Sequence, residues 1–242
     1  SIIHTGATPI LADIDRASMN IDPQRIIERI TNKTKCILPV HFAGRPCQID
    51  LITQLAKEKK LFVIEDCAHA VETEFCGQKV GTFGDVGCFS FYVTKNLTTG
   101  EGGMVITGDE DKANHIKRAA LHGMSKDAWK RFDDVGYQHY YVEEAGYKYN
   151  MMDLQAAIGI HQLSKIEGFW KRRKKIWDYY NGEFENLPIS LPAPVQKNSR
   201  HAYHLYTILV DSGATKITRD EFLARMDEKG IGTGVHYLSI PE

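Results

Sequence analysis

Two side chains at the ends of apolar runs offer this sequence its chemistry. Lys95 stands in Phe89-Ser90-Phe91-Tyr92-Val93-Thr94-Lys95-Asn96, just past one such run and just ahead of the turn Gly100-Glu101-Gly102-Gly103. Asp66 follows a second run, Leu61-Phe62-Val63-Ile64, and leads into Cys67-Ala68-His69. A primary amine that condenses with an aldehyde, set beside a carboxylate that keeps a ring nitrogen protonated, is the pair that pyridoxal phosphate chemistry requires. Taken singly, Asp66 reads as a cap and Lys95 as a solvent-facing lysine. Together with Ser90 on the lysine-bearing run, they form a specific constellation at the carboxyl ends of adjacent strands, where ligands of open α/β sheets collect.

Those residues need a scaffold, and the patterning supplies one. Apolar, β-rich runs at 9–14, 36–42, 61–64 and 86–92 alternate with helical or polar stretches. The spacing predicts a helix over 23–30, capped by Asp22 with Pro23 in its first turn, and another over 49–59 with lysines in its last turn. Runs apolar on both faces and separated by helices imply a parallel sheet covered on both sides. A further run, 103–107, follows the lysine loop so closely that it is expected to pair antiparallel with 86–92. Residues 109–121 read as a helix, and 151–187 as a long helical stretch. Within it Lys171-Arg172-Arg173-Lys174-Lys175 is expected to be a solvated face, with Trp170 and Trp177 turned to the core. Pro188, Pro192 and Pro194 mark a break. Beyond it a strand (206–210), a helix (219–229) and a strand (234–237) suit the start of a smaller α/β domain. The expected division is thus 1–165, part of a large domain, and 166–242, the long helix and the start of a small one.

The bulk numbers narrow the field. In 242 residues, 43% are hydrophobic and 25% charged, with a net charge of −1 that gives no long-range attraction to nucleic acid or anionic membrane. No apolar run approaches the ~18 residues of a membrane span. The five cysteines, Cys36, Cys47, Cys67, Cys76 and Cys88, form no C-x-x-C pair. They are expected to be buried reduced thiols in a cytoplasmic protein, with no metal bound. The glycines at 81, 84 and 87 do not form a dinucleotide fingerprint and are expected to permit a tight turn ahead of the lysine strand. The start at Ser1-Ile2-Ile3-His4 and the end at Ile240-Pro241-Glu242 suggest a piece of a longer protein.

Several segments resemble the nucleotide-sugar aminotransferases of the DegT/DnrJ/EryC1/StrS family. They are Val63-Ile64-Glu65-Asp66-Cys67-Ala68-His69-Ala70, the run from Gly81 to Phe91, Thr94-Lys95-Asn96 and Gly100-Glu101-Gly102-Gly103. Further on, Gly146-Tyr147-Lys148-Tyr149-Asn150-Met151, Leu154-Gln155-Ala156-Ala157-Ile158-Gly159 and the run from Gly230 to Tyr237 follow in the family's order. The pattern is similar to the branch that aminates 4-keto sugars, including the 4-amino-arabinose type.

The resemblance implies a pyridoxal-phosphate enzyme of fold type I, like aspartate aminotransferase: a mostly parallel sheet flanked by helices, plus part of a smaller C-terminal α/β domain. It implies that Lys95 bonds the cofactor and moves the proton, that Asp66 pairs with the pyridinium nitrogen, and that His69 lies near the ring's phenolic oxygen. Ala68 would pack on the ring face and Ser90 would hold the phosphate. Asn150, or alternatively Lys148, would reach the phosphate of a neighbouring subunit in a homodimer with shared sites. His236 would face the substrate, with a core histidine as its alternative reading, and 129–141 would form a substrate-side loop. The implied reaction moves an amino group, from glutamate as the expected donor, to a keto sugar on a nucleotide. A sugar dehydratase on the same scaffold is an alternative that Lys95 opposes, since such relatives carry histidine there. A non-catalytic sensor that keeps the cofactor is the other. The family's phosphate-binding helix start and ring-stacking aromatic have no counterpart here, so this chain alone is expected to bind the cofactor poorly.

Overall fold

The computed structural model describes residues 1–125 and 141–237. Its central sheet has the order β1 (Cys36–Ile37), β2 (Phe62–Asp66), β5 (Val86–Ser90), β6 (Gly103–Ile106). The first three strands are parallel, and β6 returns antiparallel to β5 with Ser90 opposite Gly103. Helices α1 (Pro23–Arg29) and α2 (Ile49–Lys59) pack on this sheet through a core of Ile26, Ile37, Cys47, Ile49, Ile52, Ala56 and Val63. The expected cap holds: Asp22 accepts from the Gln24 amide at 2.8 Å, and Pro23 starts α1, where a missing N–H costs nothing. Helix α3 (Glu110–Ala120) is capped in the same way by Asp109, which accepts from Lys112 N–H at 3.0 Å.

Helix α4 (Asp153–Phe184) runs unbroken for 32 residues, roughly 48 Å, so the division at 165/166 falls inside it. At its start, Gln155 accepts from the Met152 amide and donates to Glu101 O, both within 3.0 Å. That tie fastens α4 to the glycine turn after Lys95. Small antiparallel pieces complete the structure. Strand β3 (Glu74–Phe75) lies between β4 (Gln78–Lys79) and β8 (Ser199–Arg200), and β7 (Ile189–Ser190) pairs with β9 (Leu209–Val210). Helices α5 (Ser212–Thr215) and α6 (Arg219–Glu228) follow. No described helix is long and apolar enough to cross a membrane.

Several expectations are corrected. Residues 9–14 form no strand. The chain instead doubles back through Asp15, which accepts from Ser18 N–H, and Met19 at φ 59°, leaving only the Ile14–Ile21 bridge. The run 36–42 pairs only at Cys36–Ile37 and at Val40, because Pro39 has no N–H to donate to the ladder. Residues 234–237 are not a strand. Gly103, Met104 and Val105 of the antiparallel edge strand β6 are exposed among the described residues. Cys47 and Cys67 are buried free thiols, whereas Cys36 and Cys76 are exposed. Trp177 is buried as expected, but the basic run is not wholly solvated: Arg173 turns inward to Glu72. The expected substrate-side loop at 129–141 lies outside the described residues, apart from Tyr141.

One buried carboxylate holds the centre together. Glu65 is fully buried in β2, and its side chain takes four donors: Gly81 N–H and His41 Nε2 on one oxygen, Phe83 N–H and Gly84 N–H on the other. His41 Nδ1 accepts from Cys47 N–H at 3.2 Å, so its Nε2 carries the proton given to Glu65. Close backbone approach explains the glycines that this clamp gathers. A Cβ on Gly87 would lie 2.4 Å from Gly81 O, and one on Gly84 would lie 2.8 Å from Val63 O. His41, Glu65 and Cys67 bring ligand-type atoms within 4.8 Å of one another. The Glu65 lone pairs and both His41 nitrogens are already committed, however, and burial pushes the Cys67 thiol far up, so the cluster reads as structure.

Burial alone would raise the Glu65 pKa, but the bonds from His41, Gly84 and Gly81 outweigh it and hold the group below its ordinary 4.5. In the full-length protein, Glu65→Ala strands four buried donors and is expected to cost about 3–5 kcal/mol in urea unfolding. The pH dependence has a fixed sign. The unfolded chain takes up the proton first, so the stability this group supplies is present above pH 4.5 and is lost as pH falls through its folded pKa. Glu65→Gln is expected to remove that part of the acid limb when unfolding midpoints are measured from neutral pH downward.

Candidate active site

The parallel ladder decides which residues meet. Asp66, the last residue of β2, is paired with Cys88 of β5, so β5 ends two residues further on at Ser90, and the chain leaves the sheet toward Lys95. The loop is pinned at both ends and in the middle. Phe91 N–H donates to Gly102 O at 2.8 Å, and Lys95 N–H closes a turn on Tyr92 O at 2.9 Å. Leu97 is buried with Phe91 and Ile166 of α4. Residues beside the lysine are thus fixed by packing, while Lys95 itself is only part-buried.

Asp66 ends β2, and Lys95 lies just past the end of the adjacent strand β5. No ion pair joins them among the described residues. Burial lowers the Lys95 pKa, and the Asp66 carboxylate opposes the shift. Asp66 Oδ1 accepts from Ala68 N–H at 2.9 Å, which orients the carboxylate and leaves Oδ2 without a protein partner among the described residues. His69 is buried, and its pKa falls to about 4, chiefly through burial and then through Lys95, against the pull of Asp66. Ala43 N–H donates to His69 Nδ1 at 3.3 Å, so the neutral ring carries its proton on Nε2. An amine, an oriented carboxylate with a free oxygen, and a neutral N–H donor therefore stand at or just past the carboxyl ends of the adjacent strands β2 and β5. This donor set fits pyridoxal phosphate: a covalent anchor, an anion for a pyridinium, and a hydrogen bond for a phenolic oxygen.

The remaining expected residues are distributed as follows. Ser90 is part-buried, with Oγ accepting from Tyr92 N–H at 3.3 Å. Ala68 is part-buried beside Asp66. His236 is exposed and not a core histidine among the described residues. Asn150 accepts from Lys148 Nζ, and no described contact joins either residue to Asp66, His69 or Lys95.

Sequence reasoning missed His204, whose ring lies 4.3 Å from that of His69, and the network behind it. Asn96 meets His204 Nδ1 at 2.8 Å and donates to Glu72 Oε2 at 2.9 Å, while Arg173 of α4 pairs with the other Glu72 oxygen. The available signals were local. Asn96 follows Lys95 directly, and His201-Ala202-Tyr203-His204 is an aromatic cluster after the proline-rich break.

With this geometry in hand, the likeness to known proteins is informative. The DegT/DnrJ/EryC1/StrS aminotransferase family matches residues 1–241. An uncharacterised protein of Methanocaldococcus jannaschii is 48% identical over 239 residues, 99% of this chain and 62% of that protein. The spore coat polysaccharide biosynthesis protein SpsC of Bacillus subtilis is 47% identical over 241 residues, again 99% and 62%. Among solved structures, Spr1654 of Streptococcus pneumoniae, a proposed sugar aminotransferase in its PMP form, superposes with a TM-score of 0.88 at 30% identity, covering 98% of this chain and 64% of that one. The chain thus spans less than two thirds of the length of these relatives. The fold is that of the type I pyridoxal-phosphate aminotransferases, and the family match runs nearly from end to end. The chain belongs to the DegT/DnrJ/EryC1/StrS aminotransferase family.

Proposed function

We propose that the full-length protein is a pyridoxal-phosphate-dependent sugar aminotransferase. It moves an amino group from glutamate to the C4 keto carbon of a nucleotide-linked sugar. The observation that carries this reading is the placement of Asp66 at the end of β2 and of Lys95 five residues past Ser90, the end of the adjacent parallel strand β5. Membership of an aminotransferase family and likeness to a polysaccharide biosynthesis protein support it. When bound, the cofactor supplies an electron-withdrawing ring that stabilises the carbanion left when a proton is removed from the amino-acid carbon.

The chain's own residues divide the remaining tasks. Lys95 would anchor the cofactor through its amine, whose neutral form burial favours, and would serve as the base that holds and moves the proton. Asp66, oriented by Ala68 N–H, keeps the ring nitrogen protonated. His69 would donate from Nε2 to the phenolic oxygen, Ala68 would pack on the ring face, and Ser90 would bind phosphate. Asn150, or Lys148 beside it, reaches the neighbouring subunit's phosphate in a homodimer, and His236 meets the sugar. The large domain carries the cofactor and the small one follows α4. The protein works in the cytoplasm.

Purified full-length protein incubated with pyridoxal phosphate is expected to gain a visible absorbance band that borohydride fixes onto Lys95. The band should be absent from Lys95→Ala and should bleach with glutamate in the parent. Glutamate conversion should fall by at least about a thousandfold in the variant, given the size of covalent and acid–base contributions. A reducible adduct on a different lysine would refute the assignment. A band that glutamate leaves unchanged would favour a cofactor-holding sensor.

A further inference from the structure

The polar network behind Lys95 fixes the protonation of two imidazoles in opposite senses. Asn96 Nδ2 donates to Glu72 Oε2 at 2.9 Å and to Ala202 O at 3.2 Å. Both partners are acceptors, so the amide has one orientation and its oxygen must be the atom that meets His204 Nδ1 at 2.8 Å. His204 Nδ1 is therefore the donor, and the neutral ring keeps a bare lone pair on Nε2. His69 is the reverse, because Ala43 N–H occupies its Nδ1 and leaves the proton on Nε2. The rings lie 4.3 Å apart and 31° from parallel. Neither Nε2 has a protein partner among the described residues, and neither is sealed from solvent.

The arrangement is braced from several elements. Glu72 is almost fully buried and pairs with Arg173 of α4, whose Nε also donates to Ala202 O at 3.2 Å. Asn96 thus links the lysine loop, the long helix and the 201–204 segment. We propose that His204 is a positioning residue of this site: held by Asn96 as its Nδ1–H tautomer, it stacks on His69 and keeps that ring seated with its Nε2–H directed into the Lys95 cleft. The assignment concerns the same cleft as the proposed function and adds a residue to it.

The charges around the pair favour the same neutral state. His69 is faced by Lys95, Asp66 and His236, and His204 by His69, Lys95, Arg173 and His236. Only Asp66, facing His69, would stabilise a proton there. Burial and the cations oppose it, holding His69 at about 4 and His204 at about 3. At neutral pH both rings stay uncharged and their tautomers stay fixed.

Isotope-labelled imidazole NMR of the full-length, cofactor-free protein reads each tautomer and each titration directly. In the parent, His69 is expected as Nε2–H and His204 as Nδ1–H, one form each, with neither protonating above about pH 5. His204→Ala uncovers His69, so its midpoint should rise by about one pH unit or more and a second tautomer should appear. His204→Phe keeps the stacked ring and should hold His69 to its single form, which tests the idea even where the alanine variant fails to fold. A parent His204 with its proton on Nε2, or a His69 unaffected in His204→Ala, or a His69 released in His204→Phe, would each overturn the assignment. These spectra involve no cofactor. Correct tautomers in a protein that never takes up pyridoxal phosphate would fault the proposed function and leave this inference standing.

Discussion

A single buried carboxylate governs the geometry of the cleft. In water an ionised Glu65 would be solvated at no cost, but inside the sheet it is tolerable only because four donors surround it. Three of those donors are backbone groups of the turn that delivers the chain into β5, so the carboxylate fixes where the lysine-bearing strand begins. The neighbouring residue in β2 is Asp66. A strand turns successive side chains to opposite faces, so Glu65 is buried in the interior while Asp66 stands on the other face, part-buried. Structure and chemistry thus share one dipeptide.

A second polar assembly secures the other side of the cleft. Glu72, Asn96, Arg173 and the Ala202 carbonyl join four stretches that are distant in sequence. Burying Glu72 pushes its pKa up, and Asn96 and Arg173 pull it back. Polar networks of this kind are costly when incomplete and rigid when complete. This one is complete next to Lys95 and braces the loop that carries it. Burial by Leu97 and Phe91 supplies the apolar half of the same support.

Much of this was legible from residue types alone. Helices α1 and α2 and the antiparallel return of β6 follow from local rules: an Asp-Pro start, apolar spacing, and a connection too short for a crossover. The positions of Asp66 and Lys95 at and just past strand ends were legible because strand ends in α/β sheets are predictable places. What stayed hidden depends on partners that a sequence does not display. The run at 9–14 has strand composition, yet its fate was set by the turn at Asp15–Met19 that folds it back. Arg173 looked like one cation among five, because nothing local reveals that Glu72 waits inside. His204 was silent for the same reason: its tautomer is dictated by Asn96, 108 positions away.

The excursion that bears the lysine leaves the sheet at Ser90 and rejoins it at Gly103, and these two residues face each other across the ladder. Its two mouths are consequently held together by main-chain pairing, which is indifferent to the side chains between them. Such a segment is a natural cassette. Evolution can exchange its contents, or an engineer can graft it between homologues, while the surrounding strands keep their register and the amine returns to the same post.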